Sequence, residues 1–153
     1  MSARPLRTGP NHRRDMPPQS AWIIFGGGAD HAWQRLLRPG FRHCFAAIED
    51  DSGWSVLDPL TGRLLFARLA LPAGYDLPHF YRRAGLVPVG PFPLSEDVRG
   101  APLWGAPLNC VSICRAILGP HAPFALTPAG LYRALSHRVE SRKKNLTSIL
   151  NAA

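Results

Sequence analysis

The stretch LNCVSICRAILGP, residues 108–120, predicts a short helix with a cysteine in its first turn. Asn109 is a favoured N-cap residue, whereas Gly119 and Pro120 are typical of the end of a helix. Cys110 is therefore expected at the helix N-terminus, where unpaired N–H groups and the helix dipole favour a thiolate and can hold an oxyanion. This is a nucleophile's position. The alternative is that Cys110 is a small buried apolar residue, as many free cysteines are.

Length and composition place limits on the class of protein. A chain of 153 residues is long enough for one domain with its own core. Its three cysteines do not make a disulfide framework, so a reducing compartment is expected. The sequence contains neither an apolar run long enough to span a membrane nor the apolar region of a signal peptide. We therefore expect a soluble protein, cytoplasmic or virion-associated, with no transmembrane segment.

The net charge of +8 is concentrated at the two ends of the chain. Residues 1–15 carry four arginines and one aspartate, and residues 137–153 carry four basic residues and one glutamate, which leaves only +2 for residues 16–136. Basic ends on a nearly neutral domain are typical of solvated tails, or of contacts with protein partners or an anionic surface. The basic stretch 138–144 contains no aromatic residue for base stacking, so sequence-specific nucleic-acid binding is not expected.

Apolar runs of strand length predict a small antiparallel sheet. They occupy residues 21–25, 41–49, 54–60, 63–71 and 86–89. The turn cluster at residues 50–53 predicts a hairpin between the second and third runs, and Pro88 favours an edge position for the last run. Three glycines follow the first run, but their spacing fits neither a phosphate-binding loop nor a dinucleotide turn, and no cofactor is expected.

Further helical segments are predicted outside the Cys110 helix. Residues 76–84 are typical of one or two helical turns, and prolines and glycines from residue 90 onward predict a loop. Thr127 and Pro128 are an N-cap and a first helical residue, so they begin a helix through His137. Its core-facing residues are Leu131, Tyr132 and Leu135. The basic segment after it ends in a weakly amphipathic stretch that is expected to dock on a partner.

His43 is the histidine whose position requires an explanation, because it lies inside a predicted strand between two phenylalanines. Strand alternation places His43 and Phe45 on one face and Cys44 on the other. If the turn at residues 50–53 pairs Phe45 with Asp58, the carboxylate lies diagonally beside His43, and a slip of one residue removes this arrangement. The chain then offers imidazole, carboxylate and thiol in the order His43, Asp58, Cys110. In such a set the imidazole takes the thiol proton and the carboxylate orients the ring.

The chain resembles the circularly permuted papain-like superfamily in three features. These are a histidine in a strand of a small sheet, a polar residue on the next strand, and Asn-Cys at the start of a helix. This superfamily includes the lecithin retinol acyltransferase-like proteins and permuted relatives of the NlpC-type cysteine peptidases. The resemblance is to the permuted branch because His43 precedes Cys110, and it spans residues 21–136. It implies that Cys110 is the nucleophile, His43 the base and Asp58 the orienting residue. The chain also resembles small proteins of phage and prophage regions.

A zinc site is an alternative chemistry for the same residues. His43, Cys44, Cys110 and Cys114 are ligands of suitable type. The spacing of Cys110 and Cys114 differs from a CxxC knuckle, however, and His43 and Cys44 point to opposite faces of a strand. We therefore predict no metal, and we expect Cys44 and Cys114 to be buried packing residues.

The sequence thus predicts an α+β, permuted papain-like domain over residues 21–137. In it a sheet of about five strands packs against the Cys110 helix and a second C-terminal helix. A basic, Pro-rich tail over residues 1–20 and a basic tail over residues 138–153 flank this domain. The expected function is a cysteine hydrolase or acyltransferase that forms an acyl-enzyme with an amide, a peptide such as a cell-wall peptide, or a lipid ester. The alternative is a noncatalytic structural or adaptor protein, of a phage virion for example, that assembles through its basic ends.

Overall fold

A β-hairpin over residues 43–60 lies at the centre of the sheet. The structure is a computed structural model and describes residues 19–28, 35–60, 63–72, 74–94, 109–120 and 122–151. Its elements are β1 (Ser20–Gly26), β2 (His43–Asp50), β3 (Gly53–Leu60), β4 (Arg63–Leu69), α1 (Leu77–Arg83), β5 (Val87–Pro93), α2 (Cys110–Leu118) and α3 (Pro128–Asn151). Most of the predicted N-terminal tail and the end of the predicted loop before Asn109 lie outside the described residues.

The strands form one sheet in the order β4-β3-β2-β1-β5, and every neighbouring pair is antiparallel. The predicted α+β class and five-stranded antiparallel sheet are therefore confirmed. In the central hairpin Ala46 pairs with Leu57, and the register continues without a shift to Asp50 and Gly53. One step beyond Ala46 and Leu57, this register places Phe45 beside Asp58, which is the alignment predicted from the turn.

Each face of the sheet carries its own apolar core. On the first, which we call the α2 face, buried side chains of the sheet pack beneath α2 and α3. The sheet residues of this face include Ile23, Phe25, Cys44 and Ala46. On the second, the α1 face, α1 packs over a different set. That set includes Ile24, Ala47, Trp54 and Val56. Both faces of β1 and β2 are covered, which explains why these strands lack a simple polar alternation.

The helix α2 begins and ends where the sequence predicted. The Asn109 side chain accepts the Ser112 N–H at 2.9 Å, and the Ser112 hydroxyl accepts the Asn109 N–H at 3.0 Å, which completes a capping box. Gly119 ends the helix with φ 79° and ψ −164°. Its φ is positive, which glycine adopts readily because it has no Cβ to oppose that conformation. The caps therefore set which residue of α2 comes first, and that residue is Cys110.

Strand β5 is longer than predicted. The run of prolines and glycines after Val89 predicted a loop, but β5 continues to Pro93 through an irregular register between Ala21 and Ile23 of β1. A Cβ at Gly90 would lie 2.9 Å from the carbonyl oxygen of Ala21. The glycine thus lets the two backbones approach closely, and the strand continues where a larger residue would have ended it.

Helix α3 is also longer than predicted. The predicted helix ended at His137, whereas α3 continues to Asn151 because residues 131–151 contain no glycine or proline to stop it. Leu131 and Leu135 are buried in the core, as predicted. Leu146, Ile149 and Leu150 are exposed, so they do not pack into the described core. None of the helices in the described residues is long and apolar enough to cross a membrane.

Candidate active site

The three residues predicted as a catalytic set meet at the beginning of β2. His43 is the first residue of that strand, Asp58 lies on the neighbouring strand β3, and Cys110 opens α2. The Nε2 atom of His43 lies 2.6 Å from Oδ1 of Asp58. The Cys110 thiol lies close enough to the His43 side chain for each group to shift the pKa of the other. The structure therefore brings together a thiol, an imidazole and a carboxylate from three separate elements.

Strand geometry explains how Asp58 reaches His43. Paired residues of an antiparallel sheet share a face, and Phe45 is aligned with Asp58 by the register of β2 and β3. His43 is two residues from Phe45, so it lies on the same face and diagonally across from the carboxylate. The His43 and Phe45 rings are stacked with centroids 6.3 Å apart. The imidazole is thus oriented both by the carboxylate and by an aromatic neighbour.

Cys110 contacts both His43 and Cys44, although these adjacent residues belong to opposite faces of β2. The side chains of His43 and Cys44 and the backbone of Cys44 all lie close enough to the Cys110 thiol to shift its pKa. Since neighbouring residues of a strand point in opposite directions, a group that meets both lies at the end of the strand. Cys110, the first residue of α2, therefore lies beside the first two residues of β2.

The site is partly open to solvent within the described residues. The side chains of His43 and Asp58 are 17% and 21% exposed, and Cys110 is half-buried. Cys44 and Cys114 are fully buried, as predicted for packing residues. Of the three thiols, Cys110 is thus the one that a reagent or substrate can approach.

The protonation state of the site differs from the sequence-based expectation. Burial lowers the pKa of His43, but hydrogen bonds with Asp58 and Cys110 raise it more, and the resulting pKa is about 9. The hydrogen bond with Cys44 and burial raise the pKa of Cys110 above its ordinary value, although the His43 contact lowers it. The helix N-terminus was expected to favour a thiolate at Cys110. That expectation is wrong because the neighbouring thiol and desolvation dominate.

Near neutral pH the site therefore holds a protonated imidazole beside a neutral thiol. His43 must lose its own proton before the imidazole can accept one from the sulfur of Cys110. The first deprotonation of this pair is expected near pH 9, where His43 titrates. Cys44 does not supply a thiolate in its place, because Cys114 and burial raise its pKa despite an opposing contribution from Cys110.

Two neighbours of the site were missed from the sequence. Tyr81 of α1 packs edge-to-face on Phe45 with ring centroids 5.4 Å apart. Burial and the charge of Asp58 raise the pKa of the Tyr81 phenol. The other neighbour is Cys44, whose contact with Cys110 was not expected. Its position next to His43 was a signal in the sequence, whereas Tyr81 approaches only through the packing of α1.

The described residues do not support a metal centre at this position. Within them, no group of three or more histidine, cysteine, aspartate or glutamate side chains is arranged to hold a metal ion. The alternative of a zinc site at His43, Cys44, Cys110 and Cys114 is therefore not supported by the geometry. A surface groove of about 560 Å³ lies elsewhere, on the outer side of α1, and Tyr75, Phe80 and Arg83 are among its lining residues. It includes none of the residues of the candidate site.

Comparison with known proteins does not add to this geometry. No family model, curated protein or solved structure is significantly similar to the chain.

Proposed function

We propose that the protein is a cysteine hydrolase or acyltransferase of the permuted papain-like type, with Cys110 as nucleophile, His43 as base and Asp58 as orienting residue. The observation that carries the proposal is the 2.6 Å contact between His43 and Asp58, made by an imidazole that also lies close enough to Cys110 for the thiol to shift its pKa. A general base that is oriented by a carboxylate and faces a thiol is the arrangement that nucleophilic catalysis requires.

Each residue of the set has a defined role in the proposed reaction. Asp58 accepts the Nε2–H of His43, which leaves Nδ1 as the nitrogen that takes the Cys110 proton. As the sulfur attacks an acyl carbon, the carbon–sulfur bond forms and the carbonyl electron pair moves to oxygen. Backbone N–H groups at the N-terminus of α2 are suited to stabilise that oxyanion. The imidazolium then gives its proton to the leaving group, and water or an acceptor alcohol or amine releases the acyl group.

The substrate class follows from the chemistry of an acyl-enzyme. The proposed substrates are an amide, a peptide such as a cell-wall peptide, or a lipid ester. Because the neutral imidazole is needed to accept the proton, the rate of acylation should rise with pH toward about 9.

One observation favours a second candidate, a noncatalytic structural or adaptor protein. The raised pKa of Cys110 is what a packing cysteine would have, since burial and the Cys44 thiol both oppose its ionisation. In this alternative the fold is retained, for example in a phage virion, and assembly uses the basic ends. Arg142, Lys143 and Lys144 are exposed near the end of α3, where they are accessible to an anionic partner.

An activated acetyl ester distinguishes the two candidates. The full chain is incubated with p-nitrophenyl acetate between neutral pH and about pH 9, and acetylated peptides are identified by mass spectrometry. We expect a burst of nitrophenol and acetylation of Cys110. The variant H43A removes the general base, and its rate of acylation should fall by roughly a hundredfold. The variant D58N should also reduce the rate.

Cys114→Ala is the matched control, because Cys114 lies on the same helix one turn further and is buried. It should retain the acylation of Cys110. If the ester does not modify Cys110, or if H43A reacts as fast as the unaltered chain, the hydrolase proposal must be abandoned in favour of the noncatalytic alternative.

A further inference from the structure

The outer edge of β4 is available for strand pairing within the described part of the chain. Strand β4 lies at the end of the sheet and pairs with β3 along Arg63–Leu69, without an irregularity in register. An antiparallel edge strand presents backbone N–H and C=O groups on its outer side, and these can pair with another strand.

Three consecutive side chains near the middle of this edge are apolar and exposed. Leu64, Leu65 and Phe66 are 53%, 47% and 65% exposed. Edge strands are commonly protected by charges, prolines or bulges, and β4 contains neither a proline nor a bulge. An exposed apolar edge of this kind is typical of an interaction surface.

The charge of Arg68, the sixth of the seven residues of β4, is already neutralised. Arg68 makes two contacts of 2.8 Å with the carboxylate of Asp50 and one of 3.0 Å with the Ser55 hydroxyl. Its guanidinium is therefore directed toward β3 and the hairpin turn. The remaining charge of β4 is Arg63, at the first residue of the strand.

We propose that two copies of this chain associate through β4, with the strands antiparallel about a two-fold axis at Phe66. Full overlap of Arg63–Leu69 with its symmetry mate places Phe66 opposite Phe66 of the second copy. In the same register Leu65 faces Ala67, and the two remaining pairs are Leu64 with Arg68 and Arg63 with Leu69. The two sheets then form one continuous sheet through both copies.

The sequence of β4 favours a second copy of the chain as the occupant. No arginine faces an arginine in the full-overlap register, and the central pair is aromatic, which is a favourable cross-strand combination. Each copy nevertheless carries a formal charge of +8, so the two repel each other at longer range. Salt should therefore strengthen this association. An acidic protein partner bound at the same edge would be released by salt instead.

Sedimentation velocity of the full chain over a range of protein and salt concentrations tests the proposal. We expect a monomer–dimer equilibrium that shifts toward dimer as salt increases. The variants F66E and F66R place like charges opposite each other, and each should raise the dimer dissociation constant by about tenfold or more. An equimolar mixture of the two variants should recover dimer, because glutamate then faces arginine.

F124E is the matched control, because Phe124 is also exposed but lies in the segment between α2 and α3. It should associate as the unaltered chain does. The proposal is overturned if the unaltered chain stays monomeric at submillimolar concentration, if salt dissociates the dimer, or if F66E associates normally. It is also overturned if the mixed variants recover no dimer. Circular dichroism serves as the control that each variant is folded.

Discussion

The two sides of strand β2 differ at adjacent residues. Cys44 is fully buried beneath α2, whereas His43 retains contact with solvent and binds a carboxylate. The difference arises because α2 and α3 seal one face of the sheet, while the α1 core of Ile24, Ala47 and Trp54 lies further along the other face. Cys110 contacts both residues from the end of the strand.

Core packing and the chemistry of the candidate site are thus separated along β2 by a single residue, between Cys44 and His43. Substitutions on the Cys44 side should act mainly through the free energy of unfolding. Those on the His43 side should act mainly through protonation and thiol reactivity. A substitution that alters both stability and thiol reactivity tests how far these two effects are separate.

The largest effect on the free energy of unfolding is expected in the core beneath α2 and α3. Leu131→Ala removes a fully buried side chain of α3, and it should lower the free energy of unfolding by about 3 kcal/mol through lost burial and a residual cavity. Urea denaturation measures this loss. Leu126→Ala, at an exposed position, is the control and should change stability by less than about 0.5 kcal/mol. Equal losses in both variants would contradict the assignment of the core.

A pH-dependent effect of comparable size is expected from His43. Its pKa is raised in the folded chain to about 9 from 6.5, so its contribution is fully present below pH 6.5 and is lost as pH rises through about 9. The contribution amounts to at most about 3 kcal/mol. Urea denaturation of the unaltered chain and of H43Q at both ends of this range measures it. The stability difference between the two proteins should shrink at the alkaline end, and a constant difference would argue against the raised pKa.

Cys44→Ala should change both the reactivity of Cys110 and the stability of the fold. It removes the thiol that contributes most to the raised pKa of Cys110, so that pKa should fall and iodoacetamide should alkylate Cys110 faster near neutral pH. The same change should cost about 1.5 kcal/mol of stability because the sulfur is buried. Peptide mass spectrometry measures the alkylation. Cys114→Ala is the comparison, and a similar acceleration in that variant would contradict a specific role for Cys44.

The smallest effect is expected at the start of α2. Asn109→Ala removes the side chain that caps the Ser112 N–H, and it should cost about 1 kcal/mol. Thermal unfolding measures the loss. Asn109→Asp retains a capping oxygen and should restore most of it. If the alanine variant is as stable as the unaltered chain, the cap does not hold the first turn in place.

Local signals in the sequence were sufficient for several parts of the site. Asn109 and Gly119 predicted both ends of α2 because caps depend on residues next to each other in the chain. The turn at residues 50–53 predicted the register that brings Asp58 beside His43, since a hairpin turn sets the pairing of its own strands. The sequence signals were weaker where a structure depends on contacts between residues distant in the chain. The length of β5 is an example, because it depends on the close approach of Gly90 to Ala21.

The sequence by itself determined which residues occupy the candidate site and on which elements they lie. Tertiary structure decided their protonation. The pKa of Cys110 depends on how far the thiol is desolvated and on its contact with Cys44, and neither follows from the position of a cysteine at a helix N-terminus. Helix dipoles and caps act over one turn and can be inferred from neighbouring residues, whereas desolvation depends on everything that packs around a group.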